Sequence, residues 1–258
     1  MFVRETTIAF NKRMVIATLN GSKTVTRQVL SARSLELISH AVAALECHGL
    51  PHEGPIHPND LQYLVDMCPF GMPGDRLGVK EVIQADYAGR EHFEPMPTIY
   101  EADGTNVLNP ITNDVEIWSN SAGLSLPSES MPAWAQRIEL EIVSVGIERL
   151  QEITDEQCTA EGIIQLPRIN PANPEERPFW LDYSLGGGCY SCVKSKRESF
   201  VSLWRYSRGK SFNNAPDIEP GGWETNPWVW VITFKRVKPA QDAIQVNLAE
   251  KIASEKAN

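Results

Sequence analysis

The sequence predicts an α+β fold built on a small β-barrel, with short peripheral helices and long loop insertions. Several strand-like segments alternate with short helical ones, and residues 228–237 form a strongly apolar final strand. No glycine-rich phosphate loop of the Rossmann or Walker type is present, which argues against a doubly wound sheet.

Taken in order, residues 7–20 read as a short helix. Met14, Ile16, Ala17 and Leu19 are its apolar positions, Thr6 or Thr7 its cap, and Gly21 its left-handed terminator. Val25 to Leu30 reads as a strand leaving that turn, and Leu35 to Leu45 as a helical patch. Pro73-Gly-Asp75 is a turn ahead of a strand from Arg76 to Ile83. Residues 86–130 are rich in Pro, Asn and Ser, with one strand-like piece near Thr98. Alternation of Ile138, Leu140 and Ile142 marks the next strand, and Thr154 to Glu161 a capped helix ended by Gly162. Ser195 to Tyr206 is amphipathic, with Phe200, Leu203 and Trp204 on its apolar face. Trp228 to Val237 has the aromatic and β-branched composition of a strand. We expect a single domain over 1–237, with insertions near 35–70, 86–130 and 163–192, and a tail over 238–258.

Composition narrows the function classes. No apolar run approaches the roughly 20 residues that cross a bilayer, and the N-terminus lacks a signal-peptide core, so a cytoplasmic protein without membrane partners is expected. Five cysteines, an odd number without an export signal, point to reduced thiols. Net charge of −9 disfavours non-specific grip on many phosphates. Yet 6–35 holds no acid beside Lys12, Arg13, Lys23, Arg27 and Arg33, and 194–210 holds six cations against Glu198 alone. If the fold joins these stretches they form a basic cleft; otherwise each is an ordinary solvated face.

Lys23 and Thr26 lie three apart across a turn, and Glu81 ends a strand. A threonine hydroxyl needs a base to become a nucleophile, and a desolvated lysine or a carboxylate can serve. The three together suffice for amide hydrolysis; the structural alternative is a Lys23–Glu81 salt bridge with Thr26 packed in its strand. Cys189-Tyr-Ser-Cys192 has the spacing of half a zinc site. Its only further candidate ligands are Cys47, Cys68, Cys158 and the histidines between His40 and His57, so free thiols and no metal are expected. Trp228 and Trp230 share a strand face that serves either to stack a base or as core.

Six segments then carry a resemblance. Gly21-Ser-Lys-Thr-Val-Thr-Arg27, Pro73-Gly-Asp-Arg-Leu-Gly-Val-Lys-Glu81, Met131-Pro-Ala-Trp-Ala-Gln-Arg-Ile138, Glu148-Arg-Leu-Gln-Glu-Ile153 with Ala160-Glu-Gly162, Phe200-Val-Ser-Leu-Trp204 and Asn226-Pro-Trp-Val-Trp-Val231 occur in the order seen in ASCH domains. The chain resembles the longer version of that family common in phages and prophages. Gly78 stands where close relatives usually carry Trp.

The resemblance implies a PUA-like β-barrel and a ligand that is RNA or a modified nucleoside. A small bacterial member hydrolyses N4-acetylcytidine to cytidine and acetate, and its Lys, Thr and Glu map onto Lys23, Thr26 and Glu81 as catalytic residues. Arg27, Thr24, Arg76, Lys194 and Arg197 are the expected ligand-binding residues, with no cofactor. The other readings are a non-catalytic RNA- or nucleotide-binding module and an accessory protein that binds a host protein.

Overall fold

The structure is a computed structural model and describes residues 3–85, 98–107, 125–167, 178–184, 191–210 and 216–237. It is mixed α+β. The first half contains β1 (Glu5–Ala9), α1 (Lys12–Leu19), β2 (Val25–Val29), α2 (Ala32–Ala43), α3 (Leu61–Asp66), β3 (Arg76–Lys80), β4 (Ile83–Ala85), β5 (Thr98–Tyr100), β6 (Asn106–Val107) and β7 (Ser125–Leu126). The second half contains β8 (Ile138–Arg149), α4 (Asp155–Ala160), β9 (Trp180–Leu181), β10 (Cys192–Val193), α5 (Lys196–Ser207) and β11 (Trp228–Val237). Among the described residues no sheet closes on itself, and no helix is long and apolar enough to cross a membrane.

Two compact units divide the chain, and each is assembled from non-contiguous pieces. In the first, β1 runs parallel to β3 with Glu5 opposite Arg76 and Ala9 opposite Lys80. β3 is antiparallel to the start of β8, pairing Leu77 with Leu140. A small sheet of order β6-β5-β4-β7 accompanies them, and Ile83, Tyr100, Met131 and Ala135 form its core with Trp134 packed alongside.

The N-terminal helix is shorter than its pattern suggests. It begins at Lys12, while Thr6 and Thr7 lie in β1 rather than at a cap. The Met14 N–H donates to Asn11 Oδ1 at 3.0 Å, so Asn11 takes the capping role. Pairing with residues some seventy positions away captures Glu5–Ala9 as strand, and no local pattern announces such a partner. For the same reason the run 76–83 splits, β3 and β4 joining different sheets.

In the second unit β11 pairs antiparallel with β2, Ile232 facing Thr26 and Trp230 facing Gln28. Leu150, Ile153, Cys158, Phe200, Leu203, Trp204 and Val229 belong to one buried cluster. α5 folds where expected because Ser195 and Glu198 cap each other reciprocally, the Glu198 N–H donating to Ser195 Oγ and the Ser195 N–H to Glu198 Oε2. Thr154 and Gln157 do the same for α4. Trp204 belongs to the core as its spacing suggests, and its indole N–H donates to the Gly221 carbonyl at 3.1 Å.

Candidate active site

The turn after α1 is stitched to the end of α4. Gly21 has φ +81°, the conformation its position at the helix end requires. The Lys23 N–H donates to the Ala17 carbonyl at 2.9 Å and the Thr24 N–H to that of Ala160 at 2.8 Å. Gly162, at φ +88°, lies against this turn. A Cβ there would stand 2.7 Å from Ala17 Cβ and 2.9 Å from Lys23 Cβ, so the close approach admits only glycine.

A buried ion network fills the turn. Lys23 Nζ donates to Glu161 Oε2 at 2.6 Å, to the Val25 carbonyl at 2.8 Å and to the Glu161 carbonyl at 3.2 Å. Arg27 Nη1 donates to Glu161 Oε1 at 3.0 Å, and its Nε and Nη2 to Glu148 Oε1. Two cations thus face two carboxylates, and only Glu148 has appreciable exposure. Burial pulls the Lys23 ammonium below its ordinary range; Glu161 opposes that shift and Arg27 adds to it.

Thr26 follows a different direction. Alternation along β2 sends its side chain to the face opposite Arg27, onto the face shared by Gln28, Trp230 and Ile232. Thr26 and Trp230 are fully buried, and Thr26 Oγ1 and Trp230 Nε1 hydrogen-bond to none of the described residues. Two orphaned polar atoms therefore lie on one face of two adjacent strands, on diagonal positions. An unsatisfied buried group costs about 1–3 kcal/mol, so the pair leaves two hydrogen-bonding positions open on that face.

The remaining expected site residues are distributed as follows. Glu81 lies in the first unit, buried, and Arg137 grips it in bidentate fashion at 2.8 Å through Nε and Nη2. Arg137 also donates to Asp103 and Thr105 at 2.7 Å each and sits 3.7 Å above the Tyr100 ring. Burial raises the Glu81 carboxyl above its ordinary range, Arg137 works against that rise, and Asp103 adds to it. Arg76, also in the first unit, faces Glu139 and Glu141 and lines a pocket of about 290 Å³ with Thr6, Thr7 and Gln136. Gly78 shares that pocket, and a Cβ on it would meet the Gln136 amide at 2.1 Å. The space a larger residue would take is thus filled by Gln136.

Thr24 and Lys194 are exposed. Arg197 donates to the Ile153 and Gln151 carbonyls and lies 5.1 Å from the Trp223 ring, an anchoring arrangement. Further along α5 and beyond it, Arg205 pairs with Glu224, Arg208 with Asp217 and Lys210 with Glu219. Acids of 217–224 thus neutralise the cations of 205–210. Cys192 is an exposed free thiol, whereas Cys189 falls outside the described residues.

Sequence reasoning missed Glu161 and Glu148 as partners of the turn and Trp230 as a polar participant. The two glutamates stand inside segments that carry the family resemblance, which was their only signal. No protein-family model matches the chain, and no match is found among curated proteins or solved structures.

Proposed function

We propose that this chain is an ASCH-type protein that binds a modified nucleoside on the β2–β11 face of its second unit. The observation that carries this is the unpartnered pair of Thr26 Oγ1 and Trp230 Nε1 beside a turn held rigid by Lys23, Glu161, Arg27 and Glu148. One hydroxyl, donor and acceptor, and one indole N–H, donor only, suit the edge of a nucleobase-like amide. A PUA-like barrel comes with the family, supported by the long strands β8 and β11 and the short capped helices. Pairing of Arg205, Arg208 and Lys210 with acids favours a small ligand over a long polyanion. Because Thr26 and Trp230 are fully enclosed, binding is coupled to an opening of this layer.

A second reading, amide hydrolysis of an N-acylated nucleoside, rests on the depressed Lys23 ammonium and the uncommitted Thr26 hydroxyl. In it Thr26 is the nucleophile and Lys23 the base, and Lys23 leaves Glu161 to reach the Thr26 hydroxyl, with which it makes no hydrogen bond in the closed layer.

Calorimetric titration with N4-acetylcytidine and cytidine, paired with a chromatographic turnover assay, tests both. The binding reading expects saturable association that Thr26→Val and Trp230→Phe each weaken. The hydrolytic one expects cytidine release that Lys23→Ala and Thr26→Ala abolish. Absence of any nucleoside binding, with salt-sensitive RNA binding instead, would overturn the small-ligand reading.

A further inference from the structure

A second constellation lies in the loop between α2 and α3. Asp60 occupies the N-cap of α3, where an aspartate carboxylate ordinarily accepts a helix N–H, yet its side chain makes no capping bond. Its carboxylate turns instead toward His48. It accepts the His48 backbone N–H at 2.5 Å, and both oxygens stand 3.2 Å from His48 Nδ1. His57 Nδ1 approaches the same carboxylate at 4.0 Å. The two imidazoles are stacked, with centroids 4.2 Å apart. Asp60 is buried at 4 % exposure while both rings open to solvent.

We propose that His48, His57 and Asp60 form a site for a borderline divalent transition cation of the Zn²⁺ class. Two imidazoles and one carboxylate are a donor set such ions favour. One ligand atom from each residue lies within 4.8 Å of the others. A tetrahedral ion with bonds of about 2.1 Å sets its ligand atoms roughly 3.4 Å apart. The His48–Asp60 separation already meets that spacing, and His57 Nδ1, at 4.0 Å from Asp60, moves closer and gives up the Asn59 N–H that donates to it at 3.3 Å. In the bound form His48 coordinates through Nδ1 and carries its ring proton on Nε2, and water completes the coordination. The sequence offers these histidines only as partners of Cys189 and Cys192; Asp60 joins them through the fold of a loop rather than by a motif.

The ion would clip shut the chain from His48 to Asp60. That loop is already tied to the second unit's sheet, since Arg149 Nη2 donates to the Pro51 and His52 carbonyls at 3.3 and 2.9 Å. Arg149 also donates to the Asn226 carbonyl and lies 4.5 Å from the Trp228 ring. A clipped loop therefore steadies the end of β8 and the start of β11. The site stands independently of the nucleoside proposal.

The test is titration of the chelator-treated full chain with Zn²⁺ and with Co²⁺, followed by calorimetry, visible absorption and thermal unfolding. We expect one equivalent of metal, a Zn²⁺-dependent rise in the unfolding midpoint, and at least about tenfold weaker binding in His48→Ala, His57→Ala and Asp60→Asn. His48→Ala and His57→Ala alter exposed rings, so the metal-free variants keep the parental midpoint. Cys192→Ser keeps the full equivalent. No binding, undiminished binding in either histidine variant, or a thiolate-type Co²⁺ spectrum lost in Cys192→Ser would overturn the proposal.

Discussion

Lys23 Nζ lies 2.6 Å from Glu161 Oε2, and each residue is only 2 % exposed. Glu161 also accepts from Arg27 through its other oxygen, so one carboxylate compensates two buried cations. Removing it strands Lys23 and leaves Arg27 with Glu148 alone. Glu161→Ala is expected to cost about 3–5 kcal/mol, read as a lowered urea midpoint with unchanged slope. Lys23→Met, which leaves Glu161 with Arg27, costs less. In the double variant the effects are non-additive by about 1 kcal/mol or more.

If the hydrolytic reading holds, the pH profile follows from Lys23. Its ammonium is depressed below 10.5, and only the neutral amine can take the Thr26 proton. The expected kcat/KM for N4-acetylcytidine rises with pH and levels off before the ordinary lysine range. A Lys23→Arg variant, which cannot deprotonate, shows no such limb and negligible turnover.

Arg137 and Glu81 give a stability test in the first unit. The folded Glu81 pKa is raised above 4.5, so its protonation favours the fold; the associated stability is complete below that value and is lost as pH rises through the raised one. Removing Arg137 deletes the cation that restrains this rise. Arg137→Ala therefore costs about 3 kcal/mol near neutral pH. The deficit narrows as pH falls from neutrality through the raised Glu81 pKa and Glu81 takes up its proton. Urea melts across that acid limb measure it, and a pH-independent deficit would refute the role of Glu81.

Gly162 and Gly209 separate backbone strain from crowding. Both have positive φ, but nothing lies near a Cβ on Gly209, whereas one on Gly162 meets Ala17 and Lys23. Gly209→Ala is expected to cost about 1 kcal/mol. Gly162→Ala carries the same strain plus the clash, for a total of about 2–4 kcal/mol. Thermal unfolding of the two variants gives the comparison.

Thiol chemistry is expected to divide the cysteines. Cys158 is fully buried, and desolvation pushes its thiol up to about 11. Cys192 is exposed. A disulfide reagent near neutral pH modifies Cys192 quickly and leaves Cys158 untouched until denaturant is added, as peptide mapping would show.

Elements whose ends are written locally were legible. Reciprocal capping at Ser195 and Thr154, and the glycines at 21 and 162, place α5, α4 and the Lys23 turn because hydrogen bonds within four residues decide them. The strand over 228–237 was equally plain, since its aromatic and β-branched run admits little else. Residues 5–9 were not. Their strand conformation depends on hydrogen bonds to residues 76–80, and side-chain periodicity carries no record of a partner so remote.

At the candidate site the same division holds. By itself the sequence determined that Lys23, Thr26 and Arg27 would flank a glycine turn and lead into a strand. Only the tertiary structure decided that Glu161 is the carboxylate on Lys23, that Arg137 holds Glu81, and that Trp230 shares the Thr26 face. It alone gathered His48, His57 and Asp60. The reason is physical: capping and alternation act over a few residues, while charge pairing and burial depend on distance in space, which the chain sets only once it has folded.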